Sequence, residues 1–86
     1  MMTIDQLEAF LEIIDQHSFH LAAEKLYLSQ PSVTSRIKSL EKELDTQLFI
    51  REGRGFSLTD RGNQFIPYAK RMVRTYKKAC LVLGGQ

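Results

Sequence analysis

Cysteine is nearly absent from this chain of 86 residues, in which Cys80 is the only one. A single thiol excludes an internal disulfide and a zinc site built from several cysteines. The other good soft metal ligands, His17 and His20, lie far from Cys80 in the sequence. We therefore expect no catalytic site, no metal site and no cofactor, and so not an enzyme.

Long apolar runs are also missing, and the N-terminus has no cluster of basic residues. The sequence therefore predicts neither a secretory signal peptide nor a transmembrane segment. No internal repeat or low-complexity segment is present. We expect one small cytoplasmic domain with a modest hydrophobic core and no contact with membranes.

Positive charge is scarce in residues 1–30, which hold one lysine against five acidic residues, a balance of −4. Residues 31–86 hold eleven lysines and arginines against five acidic residues, a balance of +6. A basic C-terminal part is typical of a protein that binds a polyanion such as a nucleic acid. The alternative is that these charges only solvate exposed helix faces.

The segment 29–44 predicts a helix with two different faces. Ser29 can cap its start, and Pro31 fits the first turn because no N–H is needed there. One face is apolar and consists of Val33, Ile37, Leu40 and Leu44. The other face carries hydroxyls, the amide of Gln30 and lysines, with no acid before Glu41. Such groups bind base edges and phosphates, so the segment is either a DNA recognition helix or an ordinary amphipathic helix.

Two shorter helices are predicted before this segment. Thr3 starts a capping box with Gln6, and the first helix extends from about residue 4 to 16. Its Ala9 and Ile13 lie opposite its main apolar stripe, so a further element is expected to pack there. Ser18 can cap a second helix, whose small alanines allow the close helix crossing of a helix-turn-helix.

The segment 48–58 is typical of a β-hairpin. Leu48-Phe49-Ile50-Arg51 and Phe56-Ser57-Leu58 flank a turn of Glu52-Gly53-Arg54-Gly55. This hairpin would be the wing of a winged helix, with Arg54 on a slim tip that can enter a minor groove. A phosphate-binding glycine loop is the alternative, but the third glycine and the Lys-Ser/Thr of such loops are missing.

A long helix is predicted after Thr59, which can cap it, and Pro67 predicts a kink or a delayed start. Its apolar stripe has a 3.5-residue repeat and consists of Phe65, Ala69, Met72, Tyr76, Ala79 and Leu83. Such a stripe packs either within the chain or against a second chain. We favour a homodimer interface, because the first 58 residues already suggest a complete small unit with its own core.

Taken together, these segments give a sequence that resembles the DNA-binding domain of LysR-type transcriptional regulators. The matching segments are Leu7-Glu8-Ala9-Phe10, Ser18-Phe19, Ala22-Ala23-Glu24-Lys25-Leu26, 28–33, 37–44, 48–51, Leu58-Thr59 and Gly62. The resemblance covers essentially the whole chain without gaps. It implies a mainly α fold, a winged helix-turn-helix of three helices and a β-hairpin over 1–59, followed by a linker and dimerisation helix over 60–86.

The resemblance also implies a function and the residues that carry it. A bacterial regulator of this kind binds a dyad-symmetric site in double-stranded promoter or operator DNA as a homodimer, with the recognition helix 30–44 in the major groove and the wing at 51–57 in the minor groove. The full-length protein forms a tetramer in some cases. A C-terminal domain that senses a small-molecule inducer is expected to be absent from this chain. The candidate DNA-binding residues are Ser18, Gln30, Pro31, Ser32, Thr34, Ser35, Arg36, Lys38, Arg51 and Arg54.

One departure from the family concerns Ser35 and Arg36. Family members often carry a basic residue where this chain has Ser35, and Arg36 follows one position later. A one-residue step turns the guanidinium toward the flank of the helix, where it meets phosphate or an internal acid rather than a base.

The runner-up function is a winged helix that contacts protein, or a winged helix of another regulator family. The acid-free face of 30–39 favours DNA, because a protein-contact face would carry large apolar anchors.

Overall fold

The computed structural model describes residues 1–53 and 55–84. It contains four helices and one two-stranded antiparallel sheet, and the predicted fold class agrees with this order of elements. The elements are α1 (Ile4–Gln16), α2 (Phe19–Lys25), α3 (Gln30–Leu44), β1 (Phe49–Glu52), β2 (Gly55–Leu58) and α4 (Asp60–Val82).

A hydroxyl side chain caps the start of every helix. Thr3 and Gln6 form the predicted capping box at α1. At the other helices the hydroxyl of the cap accepts a backbone N–H three residues later, at 2.9 Å for Ser18, 3.3 Å for Ser29 and 2.9 Å for Thr59. Each of these bonds satisfies one of the free donors that a helix N-terminus leaves.

Non-glycine residues in the left-handed conformation end the first three helices. These residues are His17 (φ 54°), Tyr27 (φ 58°) and Asp45 (φ 52°). Tyr27 forms the turn between α2 and α3, a position where glycine is more usual. The turn is closed by two backbone bonds, from the Tyr27 N–H to Glu24 and from the Leu28 N–H to Ala23.

The core lies between α1, α2, α3 and the base of the hairpin, and it is built around phenylalanines. The Phe49 ring meets the Phe10 and Phe19 rings at 5.4 Å and the Phe56 ring at 5.1 Å. Phe65 of α4 packs on Phe10 at 5.2 Å, in an edge-on arrangement. Each such pair contributes roughly 0.5–1.5 kcal/mol beyond the area it buries. The aromatic contacts therefore join α1, α2, the hairpin and α4 into one body.

The first part of α4 belongs to this core, which corrects one prediction. Ala69 is fully buried within the single chain, and Val73 is buried as well. The expectation that residues 1–58 close their own core without α4 is therefore wrong. Ala9 and Ile13 of α1 are also fully buried, so neither offers surface to a second chain. α1 contacts α2, α3 and α4 of the same chain, so its second apolar face is covered within the chain.

Pro67 does not delay the last helix. α4 begins at Asp60, directly after its cap, and stays helical through Pro67 as far as Val82. A proline in the interior removes only one helical hydrogen bond, and the packing of Phe65 and Ala69 holds both sides of it. Of the two predicted effects of Pro67, the delayed start is therefore wrong, and the kink stays a prediction.

The predicted hairpin is confirmed, and Phe49 lies opposite Leu58 in it. The predicted bounds are corrected at three residues: Glu52 and Gly55, expected in the turn, pair with each other as strand residues, and Leu48 precedes β1. Gly53 adopts a φ of 51° in the turn, a conformation that glycine takes without steric cost. Arg54, the predicted tip residue, lies outside the described residues.

Candidate nucleic-acid interface

The polar face predicted for segment 29–44 lies on the surface of α3, where Gln30 and Thr34 are half-buried and its other residues are exposed. A shallow depression follows this face, and every side chain that lines it comes from α3. The lining residues are Gln30, Pro31, Thr34, Ser35, Lys38, Ser39 and Lys42. None of them is acidic, so the surface offers amide, hydroxyl and ammonium groups to a ligand that accepts hydrogen bonds and carries negative charge.

The N-terminal end of α3 is held rigid by its cap. The hydroxyl of Ser29 accepts the Ser32 N–H and lies 2.9 Å from the Ser32 hydroxyl. Ser32 is exposed, and a hydroxyl has more than one hydrogen-bonding position, so it can still bind a further group. Pro31 has no N–H and is exposed beside it. The first turn of α3 is therefore a preformed surface that loses little conformational freedom on binding.

A second groove, of about 440 Å³, separates α3 from the hairpin. Lys38 and Thr34 line it from α3, and Ile50 and Arg51 line it from β1. The groove joins the polar face of α3 to the hairpin, so one extended ligand can contact both elements.

Arg51 is fixed at the edge of this groove by an aromatic contact. Its guanidinium carbon lies 4.1 Å from the centre of the Phe19 ring. Phe19 is itself buried and packs edge-on against Phe49 and Phe56. A cation on an aromatic face at an exposed site gains about 0.5–1 kcal/mol, and the guanidinium edge stays free to donate hydrogen bonds.

Two predicted DNA-binding residues, Ser18 and Arg36, line neither the depression on α3 nor the groove beside the hairpin. Ser18 is half-buried, and its hydroxyl oxygen is occupied as the cap of α2. Arg36 is half-buried on the flank of α3. No carboxylate in residues 1–53 and 55–84 forms an ion pair with it, so an internal acid partner is not observed.

The apolar stripe of α4 divides into two parts. Phe65 and Met72 are half-buried against the core, and Ala69 is fully buried. Tyr76 is 50% exposed and Leu83 is 82% exposed, and Ala79 between them is exposed as well. Among the described residues of the stripe, this distal part therefore offers the most exposed apolar surface to another molecule.

One contact of the interface was not found from the sequence. The Glu41 carboxylate, which also lines the groove between α3 and the hairpin, accepts two backbone N–H groups at the base of the hairpin. The sequence presented Glu41 only as the first acid on α3. An acid near a helix end, before a short connection, is the available signal, but it does not specify a partner.

Metal sites and membrane spans are both missing from the part of the chain that the structure describes. It contains no group of three or more histidine, cysteine, aspartate or glutamate side chains that could hold a metal ion. No helix in 1–53 or 55–84 has both the length and the apolar composition needed to cross a membrane.

The chain is similar in sequence to known transcription regulators. The family described as bacterial regulatory helix-turn-helix protein, lysR family, matches residues 4–63. The uncharacterized HTH-type transcriptional regulator YxjO of Bacillus subtilis (strain 168) is 45% identical over 76 residues, which are 88% of this chain and 26% of that protein. CitR of the same organism, an HTH-type transcriptional regulator, is 42% identical over 78 residues, 91% of this chain and 27% of CitR. The chain thus spans about a quarter of the length of these curated relatives.

The fold is similar to solved DNA-binding domains. The BenM_DBD/catB site 1 DNA complex gives a TM-score of 0.89 with 30% identity, and the match covers 96% of this chain and 93% of that one. The CbnR_DBD–DNA complex gives a TM-score of 0.86 with 31% identity, and the match covers 91% and 90%. Both of these structures contain DNA, and both matches extend over nearly all of the described elements.

Proposed function

The chain belongs to the lysR family of bacterial regulatory helix-turn-helix proteins, and from this premise we propose how it binds DNA. It is a DNA-binding domain of a transcription regulator and not an enzyme. In our proposal a homodimer binds a dyad-symmetric site, with α3 in each major groove and the hairpin in the adjacent minor groove. The observation that carries the proposal is the acid-free, exposed face of α3, which is continuous with the groove beside the hairpin.

The first turn of α3 is proposed to contact the bases. Gln30 offers both a donor and an acceptor, which suits the major-groove edge of adenine. Pro31, Ser32 and Thr34 border it and admit close approach because their side chains are short. Ser35 extends this surface by one residue. The proposal follows the general geometry of helix-turn-helix proteins, in which the N-terminal residues of the recognition helix reach the base edges.

Basic residues around this turn are proposed to hold the phosphates. Lys38 projects from the middle of α3, and Arg51 is presented on the Phe19 ring. Arg36 on the flank of α3 and the Ser18 hydroxyl at the start of α2 would contact the backbone on either side. Such contacts position the protein without selecting a sequence.

Arg54 is proposed as the minor-groove contact of the hairpin. The support comes from its place in the sequence, between Gly53 and Gly55 at the hairpin turn. A narrow A/T-rich minor groove concentrates negative potential and attracts an arginine there.

The homodimer is proposed to form through the exposed distal part of α4. Tyr76, Ala79 and Leu83 follow at spacings of three and four, so they lie on one side of the helix. A two-fold pair would place two α3 helices about 34 Å apart, one turn of DNA, or a multiple of it. We keep the proposed division into a DNA-binding unit, 1–59, and a linker and dimerisation segment, 60–86, although Phe65 and Ala69 of that segment also complete the core of the unit.

We propose inducer binding and tetramer assembly only for a full-length regulator. Binding of a small-molecule inducer and assembly of a tetramer would depend on the three quarters of the curated relatives that this chain does not match. The cytoplasm is the proposed location, since that is where a bacterial regulator meets its promoter.

Selection from a randomised DNA library tests the proposal. We expect the wild-type chain to enrich a motif with two inverted half-sites, and a Thr34→Glu/Ser35→Glu variant to enrich none. The two acids lie on the polar face of α3 and repel phosphate without removing a core residue. Enrichment of an unsymmetric motif would contradict the dimeric mode of binding, and the absence of any motif would contradict sequence-specific binding.

A further inference from the structure

The connection between α3 and the hairpin is tied to one residue, Glu41. Its backbone carbonyl accepts the N–H groups of Asp45 and Thr46, the latter at 3.1 Å. Its carboxylate oxygen Oε2 accepts the N–H of Leu48 at 2.8 Å and that of Phe49 at 3.2 Å. Four of the five backbone N–H groups between residues 45 and 49 therefore end on Glu41.

These two N–H groups are shielded from water, and the Glu41 carboxylate is the hydrogen-bond acceptor that they use instead. Leu48 and Phe49 are almost fully buried, and Phe49 begins β1. A buried N–H without a partner costs about 1–3 kcal/mol, so the position of the carboxylate fixes the position of the strand. A bond to an ionised acceptor is also shorter and stronger than one to a neutral acceptor.

The opposite side of Leu48 is held by the start of α4. The Leu48 carbonyl accepts the Thr59 N–H at 3.0 Å, and the Thr59 hydroxyl donates to the Gln47 carbonyl at 2.6 Å. The base of the hairpin is therefore fixed between two helices, with Glu41 on the α3 side and Thr59 on the α4 side.

We propose that Glu41 is a positioning residue that sets the angle between α3 and the hairpin, so that the major and minor grooves are engaged together. The inference rests on the proposed function, in which both elements contact one DNA site. Glu41 itself does not contact DNA in this scheme, because a carboxylate beside phosphate is repelled. Its role is carried by the two N–H groups that it holds.

Two substitutions separate the position of the acceptor from its charge. Glu41→Gln keeps a side-chain oxygen that can accept both N–H groups but is neutral. Glu41→Ala removes the acceptor as well. Both variants remove one negative charge from the groove beside the hairpin, so both should bind non-specific DNA slightly more tightly than wild type. Any difference between them therefore reports the missing hydrogen bonds.

The measured quantity is the ratio of affinities for the selected site and for scrambled DNA of equal length. We expect Glu41→Ala to lower this ratio about tenfold or more, comparable to the loss of one correct base pair, and Glu41→Gln to lower it less than about threefold. Ile13→Val trims a fully buried side chain of α1 and removes none of the hydrogen bonds of Glu41, so it serves as the control for general destabilisation and should keep the ratio. All binding is measured well below the melting temperature of each variant.

Amide hydrogen exchange provides a readout without DNA. We expect the Leu48 and Phe49 amides to lose protection in Glu41→Ala and to keep it in Glu41→Gln and in Ile13→Val. An unchanged affinity ratio in Glu41→Ala would overturn the inference, and so would an equal loss in Glu41→Gln or Ile13→Val.

If wild-type protein selects no site while the amides respond as expected, the proposed function fails and the positioning role fails with it. If wild type selects a site and Glu41→Ala keeps the ratio, only the positioning role fails.

Discussion

Gly62 of α4 lies directly against the backbone carbonyl of Leu48, and no space remains between them for a methyl group. Leu48 is also the residue whose N–H is held by Glu41 and whose carbonyl is held by Thr59. α4 can approach the base of the hairpin this closely only because residue 62 has no side chain. Leu48 therefore contacts both helices that flank the hairpin, α3 through Glu41 and α4 through Thr59 and Gly62.

The first prediction concerns this contact. In Gly62→Ala the new methyl group collides with a backbone atom, and overpacking of this kind costs roughly 1–3 kcal/mol. Alanine gains about 0.8–1 kcal/mol over glycine in a helix, which offsets part of the cost. We expect a net loss of about 1 kcal/mol and a melting temperature lower by roughly 4–8 °C.

Gly55→Ala is the matched control for this substitution. A Cβ at Gly55 meets open space, and its φ is not in the left-handed region. Its melting temperature should therefore stay close to that of wild type. A Gly62→Ala variant as stable as Gly55→Ala would show that α4 and the Leu48 backbone move apart at little cost, and it would contradict the prediction.

The second prediction concerns Tyr27, which is 95% exposed and has a φ of 58°. The left-handed conformation costs a residue with a Cβ about 1–2 kcal/mol, and glycine avoids this cost. Glycine also gives the unfolded chain more freedom, which removes about 0.4–1 kcal/mol of the gain. We expect Tyr27→Gly to raise the free energy of unfolding by about 0.5–1 kcal/mol, measured by urea denaturation.

Tyr27→Ala tests the explanation. Alanine keeps the Cβ and therefore the strain, while it removes the same exposed ring. Its free energy of unfolding should remain near that of wild type. Equal stabilisation by alanine and glycine would mean that the ring, and not the backbone conformation, is unfavourable.

Local features of this fold could be predicted from the sequence, because their physical causes lie within a few residues. Thr3, Ser18, Ser29 and Thr59 cap their helices since each hydroxyl reaches an N–H three residues later. The hairpin was predictable for a similar reason, because its glycine turn lies between two short β-prone segments. The exposed polar face of α3 follows from helical periodicity alone.

Features that depend on distant residues could not be predicted in the same way. The periodicity of α4 indicates that Ala69 is covered, but not whether its own chain or a second chain covers it. The contact between Arg51 and Phe19 and the bonds from Glu41 to β1 depend on how the helices cross. Helix crossing is set by the whole core, so no short segment of the sequence contains it.

The third prediction separates base recognition from phosphate binding on α3. Gln30→Ala should relax the preference at one base pair per half-site, with a loss of discrimination of about 1–3 kcal/mol. Lys38→Ala should weaken binding to all sequences alike and reduce the salt slope by about 1 for each phosphate that the lysine no longer neutralises. Both residues line the same exposed face, so the two substitutions are well matched.

Selection from randomised sites and titration at several salt concentrations check this prediction. Gln30→Ala should leave the salt slope unchanged, and Lys38→Ala should leave the selected motif unchanged. An unaltered motif for Gln30→Ala would remove Gln30 from the base-contacting set. An altered motif for Lys38→Ala would show that the lysine selects bases as well.

The last prediction concerns assembly through α4. Met72 is half-buried against the core of its own chain, so a charge there would disturb folding and dimerisation together. Tyr76 is half-exposed in the single chain and is the better position for a test. In Tyr76→Asp the carboxylate stays in water in a monomer, but in the proposed dimer it would be buried without a partner, at a cost of several kcal/mol. We expect this variant to keep its helical content, to sediment as a monomer and to bind operator DNA far more weakly than wild type.

Lys78→Gln is the matched control, because it makes the same change of one charge outside the apolar stripe and should remain dimeric. Wild-type protein that sediments as a monomer even on operator DNA would show that Tyr76, Ala79 and Leu83 do not form a dimer interface.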